Sequence, residues 1–534
     1  LALAFSAPLW SLSHSAWEVD DARYAEVPRE MAESRNWTTP SLDYFEYLEK
    51  PPLIYWLGAA SYRIFGVNEA AARVPLVLLA LLSLAGTVWL GAWLFSPQAG
   101  ALGALALGSC IQFLALSHLI TPDMAVSALL LWATAFILRA LHRPADARWA
   151  GTCAWLAMAL AILAKGLIGA VLPLAWLAGL ALLFPELRRG AARLFAGPGP
   201  WLFAVLIGGW FLAMERLHPG FFRLFVIEQH FARFLTQRYN RAGPWYYFAP
   251  VVLVGLLPWT FPAFAAARDS LTLGAPEDRR LRQLLLWPLL VVGFFSVSHS
   301  KLVTYILPAF PHLALAAARV RRAPGKLYRR AALGTAAVLA LGAILAPLAP
   351  VVVPKETLPL SPAAALAAAV ALALLAGACA ALTRLGRGLE KPYIRAGTLS
   401  LAAGALLLVG AGRLQDVLSA KTISLTAGEW AREARAQGLS VRLVAYQAYP
   451  QALPYYARLP VDLANWMGEF RHLEKDQRYA GRFLDDNGMK ALPGADRRAI
   501  VAAPTKELGN LEALYPPGTI KRRARVGPWA LAEL

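Results

Sequence analysis

Pro362 to Thr383 reads PAAALAAAVALALLAGACAALT, a run without one charged side chain. About 20 helical residues cross the hydrocarbon core of a bilayer, so this stretch predicts a membrane span. Working outward, comparable apolar runs recur at 1–16, 70–95, 98–118, 123–141, 149–164, 166–184, 200–217, 246–267, 283–298, 302–318, 329–350 and 393–412. The expected fold class is therefore an all-α polytopic membrane bundle of about 13 transmembrane helices, with spans 149–164 and 166–184 separated only by Lys165. Composition agrees: of 534 residues 58% are hydrophobic and 16% charged, and the mean hydropathy is +0.48. Soluble domains carry about 25% charged residues, which excludes an ordinary soluble enzyme and a disordered chain alike. Leu1 to Trp17 is expected to be the remainder of a first span rather than a signal peptide, with residues lost upstream.

The chain carries 52 Lys and Arg against 33 Asp and Glu, a net charge of +19. In a membrane protein such an excess belongs first to cytoplasmic loops, with nucleic acid a poor second choice. Loops 139–148, 185–199, 268–282, 319–330 and 384–395 hold 20 basic residues, the densest group being Arg319, Arg321, Arg322, Lys326, Arg329 and Arg330. The short loops of the other side hold Lys165, Lys301 and Lys355. The basic-inside rule then puts the N-terminus in the cytoplasm and the C-terminus outside. Loop 17–69, loop 217–246 and the tail 413–534 all fall on the outer face, as do Asp123, Lys165 and Lys301. A transporter more often shows ionisable groups at mid-membrane on repeated halves, and no internal repeat is visible. The three cysteines, Cys110, Cys153 and Cys379, each sit in an apolar run and read as buried hydrophobes.

Two regions fall into the domain scheme 1–412 (transmembrane) and 413–534 (soluble α/β). Within loop 17–69, Ala22 to Glu33 has helical spacing, and Leu53 to Phe65 (LIYWLGAASYRIF) is too short to span and predicts a helix at the membrane interface. Trp37, Tyr44, Tyr47, Tyr55, Trp56 and Tyr62 suit headgroup depth. In the tail, 427–437 and 506–514 read as helices, and 441–446, 499–503 and 521–531 as strands. The tail carries 18 basic and 13 acidic residues, a balance of +5, and is expected to cap the bundle or steer an anionic substrate.

Several polar clusters interrupt this apolar chain. Glu18, Asp20 and Asp21 stand at a membrane exit; acids at a helix start are commonplace, yet a carboxylate there can also face a cationic transition state or a metal. Glu49-Lys50 precedes Pro51-Pro52, which fix the backbone; the plain alternative to a phosphate-binding Lys50 is a surface ion pair. Thr121-Pro122-Asp123 has the form of a helix cap. Lys165 before Gly166 either snorkels or binds an anion. His230 and Arg233 are three apart and share a face if helical; Lys301 and Tyr305 follow Ser298-His299-Ser300. Each signal is weak alone. Together Lys50, Lys165, Arg233 and Lys301 converge on one side beside Asp20, Glu49 and Asp123, which favours a phosphate or pyrophosphate ligand. No Walker loop or dinucleotide fingerprint is present, so no nucleotide is expected and a lipid-linked phosphate is.

At these residues the chain resembles a known family. Asp20 to Glu26 (DDARYAE), Tyr47 to Pro52 (YLEKPP) and Thr121 to Asp123 are similar to the bacterial lipid A aminoarabinose transferases (ArnT), of the polyprenyl-phosphate-sugar glycosyltransferases that include the protein O-mannosyltransferases. Glu228 to Phe234, Asn240 to Tyr247 and Lys301 to Pro308 extend the likeness over essentially the whole chain. The resemblance implies the GT-C fold with a periplasmic α/β tail, in the bacterial inner membrane with a periplasmic active site. It implies transfer of 4-amino-4-deoxy-L-arabinose from undecaprenyl phosphate to a lipid A phosphate, and with it resistance to polymyxin and cationic antimicrobial peptides. It also implies catalytic roles for Asp20, Lys50 and Asp123, and substrate binding by Arg23, Tyr24, Tyr47, Lys165, Arg233, Lys301 and Tyr305. Glu49 and His230 match positions associated with a divalent metal, zinc by expectation.

The implied reaction makes chemical sense of the cations. As a glycosyl phosphodiester breaks, negative charge grows on the leaving phosphate, where Lys50, Lys165 and Arg233 could stabilise it. A phosphate acceptor is already ionised near neutrality, so Asp20 has electrostatic and positioning work; a hydroxyl acceptor would need a base. Only two metal ligands are visible, fewer than a catalytic zinc site uses. Two competing functions stay open at this level: the same fold with a protein-hydroxyl or glycan acceptor, and a lipid-linked-sugar flippase without bond cleavage.

Overall fold

The structure, a computed structural model, describes every residue except 11, 17, 233–242, 273–274, 320–325, 353–360 and 385–389, and the side chains of 416–418. Arg233, Arg321, Arg322 and Lys355, all weighed above, lie outside the described residues. The chain divides into two compact units. The first comprises Leu1–Ser11, Glu49–Ile54 and Pro75–Gly410; the second comprises Leu12–Leu48, Tyr55–Val74 and Ala411–Leu534. The tail thus shares a unit with segments that the sequence placed in a loop of the bundle.

The first unit is helical. Among the described residues 8 helices are long and apolar enough to cross a membrane, or up to 10 if each of two bent pairs counts as one span. They include Pro122–His142, Pro144–Lys165, Gly199–Leu217, Pro276–Val297, Lys326–Val352 and Pro362–Leu382. The bent pairs are Ile168–Leu183 with Pro185–Ala196, at 119°, and Phe248–Gly255 with Thr260–Thr272, at 108°. Proline punctuates both breaks: Pro185 follows the first helix, and Pro258 lies between the two members of the second pair. Besides the runs 166–184 and 246–267, which fall in the bent pairs, three more apolar runs expected as spans are shorter or broken here. Among the described residues of 1–16 there are a helix at Ala2–Ser6 and a 3-10 turn at Ala7–Leu9. The run 98–118 is interrupted by an extended Cys110 between Pro97–Ser109 and Ile111–Leu116. The run 302–318 opens as the 3-10 segment Val303–Ala309 before Phe310–Ala317. Cys110 and Cys379 are buried as expected, whereas Cys153 is half-exposed.

The second unit is α/β. Two short strands, β1 (Ser41–Leu42) and β2 (Phe45–Glu46), make an antiparallel hairpin. The main sheet contains β3 (Ser440–Tyr446), β4 (Val461–Ala464), β5 (Phe483–Leu484), β6 (Arg497–Pro504), β7 (Arg522–Val526) and β8 (Trp529–Glu533), in the order β5-β4-β3-β6-β8-β7. β3 to β6 pair in parallel and β7 and β8 antiparallel. The expected strand 521–531 is in fact a hairpin, because Gly527, with φ 55°, turns the chain between β7 and β8. Leu443 to Tyr446 and Ala499 to Ala503 are continuously buried, as befits strands covered on both faces. The helix Lys421–Ala436 lies where 427–437 predicts one.

Helix Asp20–Ser34 also belongs to this unit. Its Pro28 meets Gly58 of helix Leu53–Phe65 so closely that a Cβ on Gly58 would sit 2.7 Å from the proline ring. Tyr47, Tyr55 and Tyr62, expected at headgroup depth, are buried instead. The Tyr62 hydroxyl donates to the Ala25 carbonyl at 3.1 Å, and Tyr55 stacks on Tyr24 with 5.9 Å between centroids. These rings are buried in the second unit, apart from the cluster around the main sheet that includes Val444, Tyr446, Val501 and Leu511.

Candidate active site

In the first unit a cavity of about 400 Å³ gathers residues from five stretches of chain: Glu49 and Lys50, Lys165 to Val171, Gln229 to Phe231, Phe294 to Ser300, and Tyr305. Of the predicted site residues it brings together Lys50, Lys165, Tyr305, Glu49 and His230. Leu167, Ile168, Val171, Phe231, Phe294 and Phe295 supply apolar wall. Ionic groups beside an apolar wall suit the head of a phosphorylated lipid.

Each polar group has a local reason for its position. Lys165 ends its helix and Gly166 caps it with φ 106° and ψ −159°, a conformation nearly closed to other residues. Thr121 is the N-cap of Pro122–His142, which leaves Asp123 in the first turn. A cap was the plain expectation for Asp123, but its buried carboxylate accepts a hydrogen bond from the Lys165 ammonium. That ammonium also lies 4.4 Å from the centroid of the Tyr305 ring. His230 sits in the π-helical segment Arg223–Ala232, fastened by aromatic packing: Phe225 is fully buried, stacks on Phe221 at 5.3 Å and touches the His230 ring at 4.7 Å. His230 Nδ1 is 2.6 Å from the Phe225 carbonyl oxygen, which can only accept, so Nδ1 carries a proton. Its Nε2 packs on Gly166, where an added Cβ would stand 1.9 Å away.

Glu49 and His230 therefore share a cavity, and the Nδ1 bond presents Nε2 as the ring's ligand atom. Among the described residues no third His, Cys, Asp or Glu joins them in a group that could hold a metal ion. Two donors are short of a catalytic zinc set, so these residues do not by themselves fit that ion.

Lys301 departs from expectation. Rather than joining Lys50 and Lys165 it lines a second cavity of about 270 Å³, with Gly243, Trp245, Ser296, Val297, Ser298 and His299. Ser298 borders both cavities. Sequence reasoning passed over Gly166, Ser298 and Ser300 as site residues; the only signal was their place beside Lys165 and Lys301.

Asp20, Arg23, Tyr24 and Tyr47 belong to the second unit. Asp20 begins the helix Asp20–Ser34 with its side chain 45% exposed and 3.7 Å from Arg23. Arg23 pairs with Glu469 at 3.1 Å and lies 5.9 Å from the Tyr47 ring. Glu18 accepts from the backbone N–H groups of Gln451 and Ala452, each at 2.9 Å. Burial pushes its carboxyl up to about 7, against the opposing pull of those two bonds and Arg23. Asp21, beside Asp20 in sequence, is wholly buried and pairs with buried Arg73 at 2.6 Å. One step along a helix turns a side chain by about 100°, and that separates an exposed acid from a structural one.

Helices long and apolar enough to cross a membrane, an ionic cavity with apolar walls and an α/β unit define a multi-pass membrane protein. The family model for dolichyl-phosphate-mannose-protein mannosyltransferase matches residues 49–213. The undecaprenyl phosphate-alpha-4-amino-4-deoxy-L-arabinose arabinosyl transferase 1 of Sodalis glossinidius is 34% identical over 308 residues, 56% of this chain and 54% of the relative. Its namesake from Proteus mirabilis is 29% identical over 311 residues, with the same shares of 56% and 54%. The chain thus spans about half the length of the curated relatives it matches. The crystal structure of ArnT from Cupriavidus metallidurans bound to undecaprenyl phosphate superposes with a TM-score of 0.86 at 25% identity, covering 100% of this chain and 96% of that one. The chain is ArnT-like, with the GT-C fold and a C-terminal sheet-containing unit.

Proposed function

We propose that the protein is an inverting glycosyltransferase of the bacterial inner membrane that moves 4-amino-4-deoxy-L-arabinose from undecaprenyl phosphate to a lipid A phosphate at the periplasmic face, giving resistance to polymyxin. The observation that carries this is the first cavity: Lys50, Lys165 and Tyr305 beside an apolar wall, in a chain superposable along its whole length on an ArnT solved with undecaprenyl phosphate. The cavity holds the donor phosphate, and the wall receives the first part of its polyprenyl tail. As the bond between the sugar and the donor phosphate breaks, Lys50 and Lys165 meet the charge growing on the departing phosphate. The acceptor phosphate, ionised near neutrality, attacks the opposite face of the sugar. Asp20 stabilises the oxocarbenium-like centre, in the manner of carboxylates in glycoside hydrolysis. Arg23, Tyr24 and Tyr47 support it. Glu49 and His230 offer two donors toward a divalent cation whose other ligands would be phosphate or water; such an ion would supply Lewis-acid stabilisation, and no step depends on it here.

Mass spectrometry of lipid A from a host lacking its own transferase, with and without this protein, tests donor and acceptor together. An aminoarabinose mass increment that disappears in Lys50→Ala, with membrane expression unchanged, is the expected result. The match of residues 49–213 to the protein mannosyltransferase model favours a second reading, with a protein hydroxyl as acceptor. An unchanged lipid A profile alongside newly glycosylated protein would establish that reading and end the first.

A further inference from the structure

Residues Ser298 to Lys301 follow the end of helix Pro276–Val297 and run without helical structure. Ser298 and Ser300 line the first cavity; Ser298, His299 and Lys301 line the second. The chain bends at His299 and Ser300, where the Ser300 N–H donates to Ser298 Oγ at 3.2 Å, and this tight turn lets one short segment border two cavities.

Lys301 is only 7% exposed. Its ammonium donates to the Ser298 carbonyl, and among the described residues no carboxylate lies within ion-pair distance of it. An ammonium has three donors, which leaves two for a ligand. A buried cation without a countercharge is costly, and burial pushes Lys301 below the usual lysine range. An anion in the cavity removes that cost. Gly243 keeps room for the lysine stem, since a Cβ there would come within 3.1 Å of Lys301 Cδ. On the other side of the segment, Ser300 Oγ is buried without a hydrogen-bond partner. At about 270 Å³ the second cavity admits a phosphate head and not a whole lipid.

We propose that the cavity around Lys301 is a second phosphate site, which takes the acceptor's phosphate monoester while the first cavity holds the donor's phosphate. The inference rests on the reaction under Proposed function. An acceptor phosphate oxygen gives an electron pair to the anomeric carbon while the bond from that carbon to the donor phosphate oxygen breaks. The released pair stays on the donor phosphate, which leaves as a monoester; the acceptor becomes a diester, and nothing is oxidised or reduced. Lys301 neutralises the incoming anion, and Lys50 and Lys165 the outgoing one. Two separated cation sets keep two like charges from repelling each other in a poorly screened space.

The test uses the full chain in lipid nanodiscs, comparing wild type with Lys301→Met and Lys301→Arg. Transfer is measured against lipid A concentration, and binding of undecaprenyl phosphate and of dodecyl phosphate by protection against thermal unfolding. Lys301→Met should raise the KM for lipid A about 10- to 100-fold, the range for losing a hydrogen bond to a charged group. Undecaprenyl phosphate protection should stay at the wild-type level, and Lys301→Arg should recover most of the loss. An unchanged KM, or a KM that rises only together with loss of undecaprenyl phosphate binding, overturns the proposal. A membrane lipid is the other source of the same head group: if phosphatidic acid, also a phosphate monoester, protects wild type over Lys301→Met while the KM for lipid A is unchanged, the site is not the acceptor's and the proposal falls. If wild type transfers nothing to lipid A, yet dodecyl phosphate protects it and not Lys301→Met, the phosphate site stands and the proposed reaction fails.

Discussion

Gly166→Ala offers a quantitative trial of how the first cavity is built. The backbone there has φ 106° and ψ −159°, which non-glycine residues enter at a cost of roughly 1–3 kcal/mol. The new methyl would also lie 1.9 Å from His230 Nε2 and 2.6 Å from Cε1. Ordinary contact is about 3.5 Å, so the ring must retreat by about 1.5 Å. That movement breaks the 2.6 Å bond from Nδ1 to the Phe225 carbonyl, worth about 0.5–1.5 kcal/mol net. The expected total is about 2–4 kcal/mol. Thermal and denaturant unfolding in detergent, on Gly166→Ala, His230→Ala and the double variant, separates the two contributions. In the double variant the backbone cost remains and the clash disappears, so its loss should fall short of the summed single losses by about 1 kcal/mol. Additive losses, or a Gly166→Ala variant within about 0.5 kcal/mol of wild type, would refute the packing of His230 on Gly166.

Other outcomes follow from the second unit. Asp21→Asn breaks a fully buried pair with Arg73 and should cost about 3–5 kcal/mol in unfolding, with loss of membrane expression. Asp20→Asn changes a half-exposed side chain and should leave the unfolding midpoint within about 0.5 kcal/mol while abolishing lipid A modification; retained activity removes Asp20 from the reaction. Glu18 is held protonated more tightly in the folded chain, its carboxyl rising from the ordinary 4.5 to about 7. Its stabilising contribution is therefore complete below pH 4.5 and lost as pH rises through 7, so Glu18→Gln should flatten the decline in unfolding midpoint across that window; an unaltered slope counts against the burial.

Membrane character was legible because hydrophobic length is a one-dimensional property: 362–383 became the helix Pro362–Leu382 and 53–65 the helix Leu53–Phe65. Breaks inside apolar runs were less legible. Cys110 is extended between two helices although nothing in its type demands it, and the run 98–118 shows no proline or charge there. The site was legible as a set of residue types and not as a partition. Sequence grouped Lys301 with Lys165, yet Lys301 lines a different cavity, because the bend at His299 and Ser300 is a property of local backbone conformation. Asp20 and Asp21 were equally acidic neighbours until helix phase and the distant Arg73 distinguished them. Arg73 lies 52 residues from Asp21, beyond any local pattern. The buried tyrosines show the same limit: an amphipathic ring suits a membrane interface and a hydrogen-bonded core equally, and Tyr62 found its partner in Ala25.

The pairing of Lys165 with Asp123 bears on when the first cavity attracts a phosphate. At rest the lysine is offset by a buried carboxylate, and Glu49 stands next to Lys50 in the chain, so two cations face two acids. On the proposed reaction the donor enters as a diester with one negative charge and leaves as a monoester with about 1.5–2. A cavity nearly neutral at rest binds the diester only modestly and responds to the charge that develops, which is the condition for lowering a barrier rather than deepening the ground state. Asp123→Asn removes the offset while nearly preserving shape. The freed Lys165 charge should then hold undecaprenyl phosphate about tenfold tighter or more, the scale for a charge-assisted hydrogen bond, and slow turnover by retaining product. Undecaprenyl phosphate protection against unfolding and a pre-steady-state burst of transferred sugar read these two effects separately. Tighter product binding with an unslowed steady state would separate the pair from catalysis, and weaker binding would show that Asp123 holds Lys165 in place rather than offsetting its charge.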